Sequence, residues 1–143
     1  MEQRISLITL GVADMDVAAA FYDGLGWQRV DSPDGVIAYD LIAQTLGLYP
    51  KSKLAEDLGI APDKVGGFSG VTLGHNLPTK AAVDALVAQA ASAGGKVLKP
   101  PHDIFWGGYS AFVADPDGHV WELAHNPFSP LGPKGEFRWN GFG

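Results

Sequence analysis

Ser6-Leu7-Ile8-Thr9-Leu10-Gly11-Val12 returns in the second half of the chain, in the same register, as Ser69-Gly70-Val71-Thr72-Leu73-Gly74-His75. Each run alternates as a β-strand does. Each is followed by a helix-like segment and then by three short apolar stretches. Two copies are too few for a stacked array, so the pattern predicts a duplicated βαβββ unit.

In the first copy, Ile8, Leu10 and Val12 share one face of the strand, and Leu7, Thr9 and Gly11 the other. Asp14 is placed to cap a helix whose apolar face holds Val17, Ala20, Phe21 and Leu25, with Gly24 and Gly26 ending it. Trp27–Asp31, Val36–Leu41 and Thr45–Tyr49 read as strands, the first two divided by the Ser32-Pro33-Asp34-Gly35 turn. Residues 51–67 are polar and mixed. They form the expected linker, with a short helix around Leu54–Leu58, and are placed to cover a cleft.

The second copy starts at residue 68. Thr79 caps a helix carrying Val83, Leu86, Val87 and Ala90 at i, i+3, i+4 and i+7, and Gly94-Gly95 stops it. Lys96–Lys99, Gly108–Ala114 and His119–His125 supply three strands, the last two joined by Asp115-Pro116-Asp117-Gly118. A single domain over residues 1–127 is expected, with modules 1–50 and 68–127. Residues 128–143, rich in Pro and Gly, are expected to wrap or dangle without regular structure.

Composition narrows the function classes. The chain has 143 residues, 46% hydrophobic and 18% charged, and no apolar run approaches the ~20 residues a bilayer span needs. No membrane partner is expected, and the absence of a visible leader makes a cytoplasmic location the expectation. With no cysteine there are no disulfides and no thiolate ligands or nucleophiles. A net charge of −6 argues against a nucleic-acid partner, which needs clustered Lys and Arg. It is compatible with a neutral or cationic small ligand, or with solubility alone.

The segments Thr9-Leu10-Gly11-Val12-Ala13-Asp14-Met15, Phe21-Tyr22, Leu25-Gly26 and Asp115-Pro116-Asp117-Gly118-His119-Val120-Trp121-Glu122-Leu123 resemble the vicinal oxygen chelate superfamily. That superfamily includes glyoxalase I, extradiol dioxygenases and bleomycin resistance proteins. The resemblance implies an α+β, glyoxalase-like fold, with two tandem βαβββ modules forming one curved mixed β-sheet and helices on the outside. It also implies a divalent metal held from equivalent strands of the two modules. Those ligand places fall on Leu7, Gly70, about Gly47, and Glu122. Only Glu122 carries a donor atom, so no metal cofactor is expected, a divalent metal in a rearranged site being the alternative.

The four histidines do not repair the set. His75 and His125 face away from Glu122 by strand alternation and are expected as hydrogen-bonded strand-end residues; His119 is expected solvated in the turn, and His102 lies in a Pro-rich loop. If the sheet curves as in the superfamily, Leu7, Thr9, Gly11, Gly70, Thr72, Gly74 and Glu122 line its concave face. Aromatic walls come from Tyr39, Phe105, Trp106, Tyr109 and Phe112. The expected ligand contacts are Thr9, Tyr39, Thr72, Phe105, Trp106, Tyr109, Phe112 and Glu122, and Glu122 is the one candidate catalytic residue. Three readings stand. One is a metal-free protein binding a small aromatic or cationic molecule; the others are a metal-dependent lyase, isomerase or dioxygenase, and a metal-free enzyme using Glu122. A homodimer is expected, since a symmetric partner covers exposed edge strands.

Overall fold

The computed structural model describes residues 1–142. In chain order the elements are β1 (Leu7–Val12), α1 (Met15–Gly24), β2 (Ile37–Asp40), β3 (Thr45–Pro50), α2 (Lys51–Leu58) and a 3-10 turn at Pro62–Lys64. The second half adds β4 (Thr72–Asn76), α3 (Lys80–Ser92), β5 (Lys96–Asp103), β6 (Tyr109–Ala114) and β7 (Val120–His125). Both long helices begin as their sequences dictate. Asp14 Oδ1 accepts from the amides of Asp16 and Val17, and Thr79 Oγ1 accepts from that of Ala82. Each such cap contributes about 1 kcal/mol.

The α+β class and the duplication hold. In each half the first strand runs parallel to the last, β1 beside β3 and β4 beside β7. The hydrogen-bonded ladders form two sheets, β1-β3-β2 and β4-β7-β6-β5, where the sequence suggested one continuous curved sheet. Trp27–Asp31 keeps only the bridge Val30↔Ala38. Trp27 turns instead into an aromatic cluster, stacked on Tyr22 with centroids 5.5 Å apart and edge-on to Trp121 at 5.8 Å. Pro33 in the loop that follows has no N–H to extend a ladder.

The long helices lie on the outside as expected, each with one face in solvent, Asp16, Val17 and Ala20 on α1 and Lys80, Asp84 and Gln89 on α3. The helix-bearing faces of the two sheets meet in one core, built from Leu10, Phe21, Tyr22 and Leu48 of the first half and Val83, Val113, Trp121 and Leu123 of the second. Glycines permit this approach. A Cβ on Gly24 would stand 2.8 Å from that of Ala93, and one on Gly95 would stand 2.7 Å from Phe21 Cε2 and 2.9 Å from the Ala90 carbonyl oxygen.

The Asp115–Gly118 turn does more than join two strands. Asp115 Oδ1 accepts from the amides of Asp117 and His119, while Oδ2 accepts from Tyr22 Oη at 2.7 Å, in the other half. The Tyr22 oxygen in turn accepts from Trp121 Nε1. Asp117 Oδ1 accepts from the Ala13 amide, and His119 Nε2 donates to the Gly11 carbonyl, both at 2.8 Å. His119 is therefore a clasp between halves and not a solvated turn residue. Residues 128–142 hold no helix or strand, but they are tied down. Ser129 Oγ bonds Asn126 and the Trp139 carbonyl, and Gly135 lies against Ile42 of the first half.

Candidate functional site

With their inner faces together, the sheets turn their other faces outward. On the first sheet the register sets Thr9 beside Gly47 and Gly47 beside Ala38, three small residues in a row across three strands. This row is the floor of a cleft of about 290 Å³. A Cβ on Gly47 would meet only Leu7 Cδ1, at 3.6 Å, so the space above it is open. Leu7, Val36 and Leu54 form apolar walls, and Tyr49 and Asp57 bring the polar groups.

The linker supplies one wall, as its polar sequence suggested. α2 and the 3-10 turn sit on the outer face of β1, where a Cβ on Gly11 would lie 2.9 Å from Val65 Cγ1 and 3.0 Å from Leu54 Cδ2. Gly11 is therefore buried under the linker and is not cleft lining. Leu54 and Asp57, three apart on α2, share a helix face and reach the cleft together. The nearby Asp57 carboxylate is the main influence holding the Tyr49 hydroxyl above the ordinary tyrosine range.

Of the expected contacts, only Thr9 lies in this cleft. Tyr39 leaves the set: it is 1% exposed on the core face, its hydroxyl donating to Asp23 and the Ala19 carbonyl. Burial, more than any neighbour, pushes that hydroxyl well above its usual range. Thr72, Phe112 and Glu122 lie on the outer face of the other sheet, with Glu122 half-buried and opposite Gly74 and Phe112. Glu122 and Thr9 therefore belong to different sheets. Phe105 is 99% exposed, and Trp106 packs on Phe128, so neither walls the cleft. Tyr109 faces α3, its hydroxyl bonded to Asp84 at 2.6 Å and its ring under the Lys80 ammonium.

Tyr49, Asp57, Leu54, Val36 and Ala38 are the lining residues the sequence reading missed. Tyr49 was findable by alternation, since Thr45, Gly47 and Tyr49 share a face. It also stands opposite Gly11 as Glu122 stands opposite Gly74, which makes Tyr49 the register counterpart of Glu122.

The superfamily's metal fits this chain poorly. Leu7 and Gly70 have no donor atom, the register puts Tyr49 and not Gly47 at the place matching Glu122, and one carboxylate with one neutral phenol does not make a divalent-metal set. Among the described residues no three His, Asp or Glu side chains converge as a metal set. His75 rims a separate apolar cavity of about 70 Å³ beside Trp27 and Trp121, where desolvation lowers its pKa. The rings of His102 and His125 bond the Pro100 and Leu77 carbonyls.

A family model described as Glyoxalase/Bleomycin resistance protein/Dioxygenase superfamily matches residues 4–123. The chain belongs to this superfamily. Among solved structures, this superfamily member is similar to a glyoxalase-related enzyme from Fulvimarina pelagi, with 35% identity and a TM-score of 0.89 over 98% of this chain and 100% of that one. It is also similar to lactoylglutathione lyase from Agrobacterium tumefaciens, with 25% identity and a TM-score of 0.66 over 88% and 96% of the two chains. A superfamily enzyme from Burkholderia phytofirmans PsJN, 24% identical with a TM-score of 0.75 over 84% and 96%, shares the fold. No curated protein matches the chain.

Proposed function

We propose that this superfamily protein binds a small aromatic or cationic molecule in the cleft of its first sheet, without a resident metal ion. The observation that carries the reading is the row Thr9–Gly47–Ala38, whose small side chains floor an open cleft on the sheet face. Its volume is at the low end of small-molecule sites, and apolar walls with a few polar groups are the usual makeup of such sites. A cytoplasmic homodimer is part of the same proposal. No described helix is long and apolar enough to cross a membrane.

The test is ligand screening on wild type and on Gly47→Val, whose side chain occupies the open space above the floor. Compounds that raise the melting temperature of wild type and not of the variant support the reading. A panel that stabilises both alike sinks it.

A second reading is enzymatic, favoured by the description of the Fulvimarina pelagi protein as a glyoxalase-related enzyme. It would use a metal in a rearranged site or Glu122 without one. Metal content of protein purified without chelators separates the two forms: a stoichiometric ion lost in Glu122→Gln supports the first. Turnover without metal that is lost in Glu122→Gln supports the second.

A further inference from the structure

We infer that Asp57, at the end of α2, is the group that selects the ligand of this cleft, and that the ligand is a compact apolar molecule carrying one ammonium group. The inference rests on the cleft reading above and goes beyond it by naming the charge that is recognised and the residue that recognises it.

Asp57 is the only carboxylate among the lining residues, and no lysine, arginine or histidine lines the cleft. The lysine nearest in sequence on α2, Lys53, has its ammonium 3.5 Å from Glu56 in an exposed pair and is not a lining residue. Tyr49 and Asp57 line the same end of the cleft, and no described hydrogen bond or ion pair occupies the Asp57 carboxylate, which leaves its lone pairs open to a ligand donor. The floor and walls beneath are Thr9, Ala38, Gly47, Leu7, Val36 and Leu54. They fit an apolar body.

The position of Asp57 supports a role in binding. Helix C-termini carry the negative end of the peptide dipole and favour basic side chains. α2 ends on Glu56-Asp57-Leu58 with no basic residue in its last turn and Gly59 in the left-handed region. A carboxylate there costs the helix a little stability, and it adds to the negative potential at the cleft mouth. Both effects favour an approaching cation.

Benzylammonium, benzyl alcohol and benzoate make a matched probe set, read by titration calorimetry at low and moderate salt. Benzylammonium is expected to bind most tightly and benzyl alcohol about tenfold more weakly, the low end of what a charge-assisted hydrogen bond contributes at an exposed rim. Benzoate should not bind. Asp57→Asn should bring benzylammonium down to the level of benzyl alcohol and leave benzyl alcohol unchanged, and Asp57→Glu should keep the preference. If Gly47→Val abolishes binding of both neutral and cationic probes while Asp57→Asn changes neither, the cleft reading stands and the assignment to Asp57 is overturned. Binding that survives Gly47→Val, or no binding of either probe, overturns the cleft reading and this one with it.

Discussion

Tyr22 shows how much can depend on one oxygen. It accepts from Trp121 Nε1 and donates to Asp115 Oδ2 inside the seam between halves, so Tyr22→Phe strands a buried donor and a buried acceptor together. Unsatisfied groups of this kind cost about 1–3 kcal/mol. That loss is expected in urea unfolding of Tyr22→Phe, with the slope unchanged. Burial, with the Asp115 charge second, also raises the Tyr22 pKa far above its ordinary value of 10.0. Above that pH the unfolded chain releases a proton that the folded one keeps. Its contribution is intact below pH 10 and is lost as pH rises, at about 1.4 kcal/mol per pH unit. The stability gap between wild type and Tyr22→Phe should therefore narrow above pH 10. An equal gap at pH 8 and pH 11 would contradict this. Sequence reading found Tyr22 as part of a helix motif but could not see its hydroxyl's partner, which lies 93 residues away.

At the level of elements, local chemistry was readable and the packing between elements was not. Asp14, Thr79 and the glycines after each helix announced their starts and stops, and alternation placed β1, β3, β6 and β7. The assignment of Tyr39 to the ligand set failed because alternation gives a side chain's face but not which face is inward. Glycines read as helix breakers proved to be contact points. Gly95→Ala sets a methyl against two backbone carbonyls, those of Ala90 and Ala114, neither able to rotate aside. Such overpacking costs about 1–3 kcal/mol and should lower the melting temperature. Gly11→Val should act locally, since every group it meets, on Lys51, Leu54 and Val65, belongs to the linker segment. Faster amide exchange confined to residues 51–64 is the expected signature, and exchange spreading into β6 and β7 would contradict it.

For the whole molecule, β1 and β4 are edge strands, and apolar side chains beside them are open, with Leu7 57% and Val71 60% exposed. Unpaired edges flanked by apolar surface are commonly covered by a second copy. A dimer is expected in sedimentation at micromolar concentration, and a monomer alone would refute it. The duplication was legible because a repeat survives in sequence. The division into two sheets was not, since it depends on the inner faces finding each other. The clasp also has a history in time. Ala13 and Asp117 are 104 residues apart, so at about 5–20 residues per second a ribosome takes roughly 5–20 s to deliver the acceptor after the donor. For that interval the N-terminal half emerges with Tyr22 and the end of β1 uncapped and its core face bare. A nascent chain of this kind is a natural client for a holding chaperone, and slowing translation would lengthen its exposure.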